Sequence, residues 1–505
     1  MRRRRAVVWN LVFGYGGIAL ALARNIVLVP LYLRHISLGE YGAWLATGGA
    51  LVQLLLTDLG LSGVVSQRVA HRLGASGTER LGRLIGAGLL SAAALGAVLF
   101  LVSVAIAPFL PATQGLSPEE VRRVTWCFVI AGLGNGLAFV STTATGILRS
   151  LQRPISAGLV NLLSDLGSVI VTVVVLLGGS GLYALAVGML ARSVIGVGAG
   201  LGALAAAWIR IPALRPHASW PETVELWRAS SKFFVTSLGM KAQSQANTLL
   251  VGSILGPHSA ALYGLTVRAH ETVLMLMAQF NAALAPSLAH LVGSDERERL
   301  RALVRRLLPL ISVVAAIGFT LTATLNRTFV SLWVGPEAYG GAAVSVLMAL
   351  ALWTTTVSYI AYEVLIAHGE FGYISRVFVP VALLHLALLF VGVRFGMWAA
   401  PAAMVLSTLV LGAVFWRQVG REGGLTRRDV AAFVGDLAVV AAISVGTGVA
   451  FTLAYPVPAT WVGLGVEGVA CGSVLVALFW SLRPQLRRNV RHEWEMTIGA
   501  LRPGG

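Results

Sequence analysis

Apolar residues occur along this chain in long uninterrupted stretches rather than in short alternating patterns. A helix of about 20 apolar residues, rising ~1.5 Å per residue, crosses the ~30 Å hydrocarbon core of a bilayer. The sequence contains fourteen stretches of about this length. They lie at residues 7–33, 41–65, 84–110, 121–148, 155–177, 181–208, 230–254, 260–290, 307–325, 340–366, 373–393, 395–416, 429–454 and 461–482. The pattern predicts an all-α polytopic membrane protein with about 14 transmembrane helices.

Composition agrees with this prediction. Hydrophobic residues make up 57% of the 505 residues and charged residues only 12%. A soluble enzyme with one helical insert does not have this balance. The composition therefore excludes that class.

The net charge of +17 is explained by basic residues on one side of the predicted membrane, rather than by binding of a polynucleotide. Most of the 38 Lys and Arg residues fall in alternate connections, which the positive-inside rule assigns to the cytoplasm. The opposite connections hold Arg34, Arg122, Arg123, Arg327 and Arg394. We therefore expect both termini in the cytoplasm, no nucleic-acid partner, and contact between the basic segments and anionic headgroups of membrane lipids.

Arg24 is a charge inside the first span. It lies nine residues before Leu33, or about 13 Å along a helix, which is further than an arginine side chain comfortably reaches by snorkelling. One interpretation is a tilted helix with a snorkelling Arg24. The other is a cationic group for an anionic ligand, with the adjacent Asn25 in the same cavity.

The fifth and sixth spans form a hairpin around Gly179. Asp165 precedes this glycine by fourteen residues and Arg192 follows it by thirteen, so the two charges have matched depths. We expect them to form a structural ion pair across the hairpin, because removal of one partner would leave an orphaned charge away from water.

Charged residues at two further places in the chain admit both a structural and a functional interpretation. Arg268 and Glu271 lie three residues apart in the eighth span, either as a self-neutralising pair or as ligand and coupling groups. Asp58 closes the second span near Arg68 and Arg72, as a cap or ion-pair partner or as an ion-coupling residue.

The second half of the chain resembles the first. An offset of 217 residues aligns Leu38-Gly39 with Leu255-Gly256 and places Lys241 at the position of Arg24. The connection before this repeat contains Ser219-Trp-Pro-Glu222, a capping-box pattern that predicts a short interfacial helix. A parallel repeat of six spans places the substrate site between the halves. The predicted divisions are an N-terminal lobe (1–208), a cytoplasmic linker (209–229), a C-terminal lobe (230–416), helices 13–14 (417–482) and a basic cytoplasmic tail (483–505).

Catalytic signatures are missing from the sequence. It has no Gly-Lys pair of a P-loop, no zincin helix and no GxSxG elbow. Cys127 and Cys471 both lie in apolar spans, which indicates neither a disulfide framework nor a thiolate metal site. We expect neither an enzyme nor a bound metal or cofactor.

Several short motifs resemble those of the polysaccharide-biosynthesis flippases, bacterial members of the multidrug, oligosaccharidyl-lipid and polysaccharide exporter (MOP) superfamily. The motifs are Val29-Pro-Leu31, Gly39-Glu-Tyr-Gly42, Asp58-Leu-Gly-Leu-Ser-Gly63, Leu151-Gln-Arg-Pro154, Leu226 to Phe234 and Leu332-Trp-Val-Gly335. The resemblance implies two six-helix lobes in a V around a central cavity, two additional C-terminal helices, and alternating access. It implies transport of an undecaprenyl-diphosphate-linked oligosaccharide across the inner (cytoplasmic) membrane for cell-surface polysaccharide synthesis.

In related flippases, basic groups on the first and eighth spans receive the diphosphate. The resemblance therefore assigns this role to Arg24 and Arg268, and the internal repeat adds Lys241. A polysaccharide polymerase or other assembly protein is an expected partner. Two alternatives stay open: a cation-coupled multidrug or small-molecule exporter of the same superfamily, and a membrane-embedded lipid-carrier-dependent enzyme or scaffold.

Overall fold

The computed structural model of the chain describes ten stretches of sequence. They are residues 16–17, 19–20, 23–24, 26–49, 60–76, 81–109, 117–277, 297–422, 427–454 and 460–482. Within these stretches the side chains are described except at 48–49, 70–71, 74–76, 231–245, 297, 299–301, 304–308, 371, 422 and 427–438.

The described residues are helical and contain no β-strand. In chain order the helices are α1 (Ile26–His35), α2 (Leu38–Ala43) continued by a π-helical segment (Trp44–Gly49), α3 (Leu61–Ser76), α4 (Leu81–Ile106), α5 (Pro118–Ser150), α6 (Pro154–Leu177), α7 (Tyr183–Arg210), α8 (Trp220–Leu255), α9 (Pro257–Thr266), α10 (268–277), α11 (Arg297–Val334), α12 (Ala342–Ala367), α13 (Phe371–Gly392), α14 (Ala399–Glu422), α15 (Arg427–Ala454) and α16 (Trp461–Leu482).

The prediction of a polytopic membrane protein is confirmed. Among the residues that the structure describes, nine helices are long and apolar enough to cross a membrane, and each coincides with a predicted span. Shorter apolar helices overlap three of the other predicted spans: Ile26–His35, Ala246–Leu255 and Val439–Leu453. An α-helix suits a bilayer because its backbone hydrogen bonds form within the segment.

The first of two compact units, Met1–Ala261, packs its helices through small residues. Helices α4 and α5 cross where Gly96 and Gly136 bring their backbones together, so that a Cβ at Gly96 would lie 2.9 Å from the Gly136 carbonyl carbon. Leu95 and Phe139, which neighbour these glycines on α4 and α5, are buried. Lipid tails are as apolar as leucine, and close backbone approach therefore replaces hydrophobic burial as the source of helix association.

The second compact unit, Leu262–Gly505, is built on α11. Helix α11 packs against α12, and α12 packs against α14. Helices α15 and α16 pack on α11 around Phe451, Cys471 and Phe479, which are buried. The last two spans are therefore attached to this unit through α11.

The capping box predicted at Ser219 is wrong. Ser219 is the residue before α8, but its side chain makes no capping hydrogen bond. Glu222 instead pairs with Arg72 of α3 at 2.9 Å, and Glu225, one turn later, pairs with Arg68 at 2.8 Å. The predicted short helix is also wrong, because α8 continues without interruption to Leu255. Two ion pairs to α3 fix its first turns.

The orientation in the membrane stays a prediction that cysteine labelling can test. The natural cysteines, Cys127 and Cys471, are both buried, so the background of labelling should be low. Glu337 and Ala218 are exposed in short connections on predicted opposite sides. We expect a membrane-impermeant maleimide added to intact cells to label Glu337→Cys and to leave Ala218→Cys unlabelled until the cells are lysed. Labelling of Ala218→Cys in intact cells would contradict the predicted topology.

Candidate functional site

Arg24 lies in a helical stretch just before α1 and is half-buried, with 30% of its side chain exposed. Its Nη1 lies 3.8 Å from Oδ1 of Asp165, which projects from α6. The first span therefore meets the hairpin through opposite charges. This contact joins residues 141 positions apart.

Asp165 also contacts Arg192 of α7. Nε of Arg192 donates a hydrogen bond of 2.7 Å to the same Oδ1. The two residues that the sequence analysis paired are thus brought together, and Arg24 joins them as a third member. Because Asp165 has two arginine neighbours, loss of either one alone does not orphan the carboxylate. We call these three residues the Arg24–Asp165–Arg192 cluster.

Small and hydroxylated residues bring α6 and α7 close enough for this contact. Ser168 donates a hydrogen bond of 2.8 Å to the carbonyl of Gly188, and a Cβ at Gly188 would lie 3.1 Å from Cβ of Thr172. A similar Cβ at Gly196 would lie 3.0 Å from Oγ of Ser164. Interfaces of this type are usual between membrane helices. These contacts between α6 and α7 fix the register in which Asp165 and Arg192 meet.

In the second unit, Arg268 and Glu271 form an ion pair on α10. Nη1 of Arg268 lies 2.9 Å from Oε2 of Glu271, and 30% and 46% of these side chains are exposed. Both residues follow a break in the helix at Val267. Arg268 and Glu271 thus have the i, i+3 contact that their spacing allows.

Buried polar groups hold the break at Val267. Asn326 of α11 donates hydrogen bonds of 2.9 Å to the carbonyl of Thr266 and to Oγ of Ser345. His270, fully buried, bonds to the carbonyl of Ser345 at 3.1 Å, and the Gly340 amide donates to Oγ1 of Thr266 at 2.7 Å. Sequence reasoning did not assign a role to Asn326 or Ser345. Their polarity within apolar spans was the available signal.

The other predicted site residues are not described in this detail. Asp58 and Asn25 lie outside the described residues, as does the tail from residue 483 onward. Lys241 belongs to helix α8, and its side chain lies outside the described part. Their predicted roles stay predictions.

The Arg24–Asp165–Arg192 cluster and the Arg268–Glu271 ion pair differ in charge. By formal charge, the Arg24–Asp165–Arg192 cluster has two positive groups and one negative group, whereas Arg268 and Glu271 together are neutral. Guanidinium groups bind phosphate and carboxylate through paired N–H donors. Within the described residues, no group of three or more His, Cys, Asp and Glu side chains could hold a metal ion. Because positive groups are in excess, the Arg24–Asp165–Arg192 cluster is suited to binding an anion.

Solved structures of MOP superfamily transporters have the same fold. An inward-facing multidrug resistance MATE family transporter of the MOP superfamily gives a TM-score of 0.68 at 14% identity, covering 78% of this chain and 93% of that one. A MATE in the bent conformation gives 0.60 at 14% identity, covering 87% and 98%.

A third similar structure is a MOP superfamily transporter from Pyrococcus furiosus, described as having a binding pocket of reverse polarity that suggests a different function. It gives a TM-score of 0.61 at 15% identity and covers 83% of this chain and 95% of that one. At these identities the likeness shows the fold.

Sequence comparison identifies the family. None of the curated proteins matches the chain. The description of the family that does match is "polysaccharide biosynthesis protein", and the match extends over residues 55–339, more than half of the chain. This protein, an all-α polytopic membrane protein with the fold of MOP superfamily transporters, therefore belongs to the polysaccharide biosynthesis protein family.

Proposed function

We propose that this protein is a flippase that moves an undecaprenyl-diphosphate-linked oligosaccharide across the bacterial cytoplasmic membrane by alternating access. The observation that carries the proposal is the excess positive charge of the Arg24–Asp165–Arg192 cluster inside a membrane-spanning unit. Charges in such positions are expensive and are usually functional. Membership of the polysaccharide biosynthesis family supports a glycan-linked substrate.

Arg24 and Arg268 are the groups that we assign to the diphosphate, with Lys241 as a further cation. A diphosphate loses hydration when it enters the membrane. Guanidinium groups compensate for this loss with short, charge-assisted and often bidentate hydrogen bonds. Glu271, 2.9 Å from Arg268, competes with the substrate for that arginine and thereby assists release.

Fold alone does not select the substrate, since MATE transporters share it. The specific observation that favours an exporter of organic cations is the presence of carboxylates, Asp165 and Glu271, within the units. In this chain each of these carboxylates is already engaged by arginine. The reverse polarity of the binding pocket in the Pyrococcus furiosus transporter supports the use of charge, rather than fold, to separate the two functions.

The test is reconstitution of the purified protein in liposomes that contain an undecaprenyl-diphosphate-linked oligosaccharide in the inner leaflet. We expect the protein to increase the rate at which the glycan becomes accessible to an added glycosidase. A monophosphate-linked analogue should move more slowly, because it offers fewer oxygens to the arginines. Transport of ethidium with no movement of the lipid-linked glycan would contradict the proposal and support the exporter.

A further inference from the structure

One carboxylate oxygen serves two arginines in the first unit. Oδ1 of Asp165 accepts a hydrogen bond from Nε of Arg192 at 2.7 Å and lies 3.8 Å from Nη1 of Arg24. The first distance is that of a strong charge-assisted hydrogen bond. The second is that of an ion pair beyond hydrogen-bond distance. Asp165 is therefore bound more tightly to Arg192 than to Arg24.

Of the two arginine contacts of Asp165, the one with Arg24 is the easier to break. When Arg24 moves away, Asp165 keeps its hydrogen bond to Arg192 and stays neutralised, so withdrawal does not leave a bare carboxylate. Asp165 is 17% exposed and Arg24 is 30% exposed, so part of the Arg24 side chain is accessible to a ligand.

We propose that Asp165 competes with the anionic ligand for Arg24, and that Arg192 is a positioning residue that sets the strength of this competition. The inference rests on the proposed binding of a diphosphate by Arg24. A diphosphate carries more negative charge than a carboxylate and displaces Asp165 from Arg24. Arg192 holds the displaced Asp165, and the return of Arg24 to Asp165 assists release of the ligand.

The competition predicts changes of opposite sign at two residues that contact each other. Asp165→Asn removes the competing charge. Undecaprenyl diphosphate in detergent micelles should therefore bind to this variant roughly tenfold more tightly and dissociate from it more slowly. Arg192→Gln leaves Asp165 to neutralise Arg24, and binding should weaken roughly tenfold. The double variant should bind within about threefold of Asp165→Asn, because Arg192 acts through Asp165 and has no further effect once that carboxylate is removed.

A conservative control separates charge from packing. Arg192→Lys keeps the positive charge beside Asp165, so its affinity should stay within about threefold of the original while Arg192→Gln loses affinity. This comparison does not require the Asp165→Asn variant to fold. The thermal stability of each variant, measured without ligand, identifies those that are folded.

Three results would overturn the inference. Equal weakening by Asp165→Asn and Arg192→Gln would indicate a structural pair. A double variant that binds about tenfold more weakly than Asp165→Asn would indicate that Arg192 contributes to binding independently of Asp165, as by direct contact with the ligand. Equal affinities of Arg192→Gln and Arg192→Lys for the ligand would show that the positive charge at residue 192 does not determine the affinity.

Measurement of Arg24→Ala in the same assay separates this inference from the proposed function. Unchanged binding by folded Arg24→Ala would refute the role of Arg24 in binding the diphosphate, and the competition with it. Weak binding by Arg24→Ala together with any of the three results above would overturn the competition alone.

Discussion

Replacement of Arg24 or Arg268 by alanine should abolish export of the lipid-linked glycan. Each substitution removes a guanidinium group that replaces the water lost from the diphosphate. Hydrogen bonds to charged groups contribute ~1.5–3 kcal/mol, which corresponds to a loss of binding of about 10- to 100-fold at each site. Export in a strain that depends on this protein, together with binding of the purified variant to the lipid-linked substrate, measures both effects.

Lysine at the same positions should retain part of the activity. An ammonium keeps the positive charge but does not reproduce the planar pair of donors that a phosphate accepts from arginine. Arg34→Ala is the matched control, because Arg34 is an exposed arginine at the end of α1, ten residues after Arg24. It should export normally.

The amount of each variant in the membrane must equal that of the original protein for export rates to be compared. Normal export by a well-expressed Arg24→Ala, Arg268→Ala double variant would refute binding of the diphosphate by these arginines. Arg24 would then be a charge that snorkels to the interface, as in the alternative interpretation of the sequence.

Substitution of Gly42 by alanine should severely destabilise the first unit. Gly42 is buried in α2 and faces the start of α9. An added Cβ would clash with the carbonyl oxygen of Pro257 and lie 2.7 Å from its carbonyl carbon and 3.0 Å from Cβ of Ala261. The two nearest atoms belong to the Pro257 backbone and the third is the Cβ of an alanine, so a rotamer change does not relieve the clash. Overpacking of this kind costs about 1–3 kcal/mol or more.

Gly39→Ala provides the matched control for Gly42→Ala. Gly39 lies in the same helix, three residues earlier, and an added Cβ there meets no atom within 4 Å. Alanine favours a helix over glycine by about 1 kcal/mol, so Gly39→Ala should leave thermal stability in detergent unchanged or raise it. Equal melting temperatures for the two variants would contradict the close approach of α2 to Pro257.

Sequence alone was sufficient for the spans because the bilayer imposes a local, one-dimensional requirement. A run of apolar residues of sufficient length crosses the membrane whatever it packs against. Hydropathy therefore located the spans now seen as α4 to α7, α11 to α14 and α16. It also placed Asp165 and Arg192 at matched depths, since the two arms of a hairpin descend together from one turn.

Only the tertiary structure decided which charges meet. A helix rotates by about 100° per residue, and the face that each span presents to a distant neighbour depends on how the helices pack. For this reason the sequence did not show that Arg24 reaches Asp165. Nor did it show that Glu222 pairs with Arg72 instead of capping its own helix, or that Gly42 rather than Gly39 contacts Pro257. Each of these contacts joins parts of the chain separated by more than 100 residues, where sequence periodicity carries no information about distance.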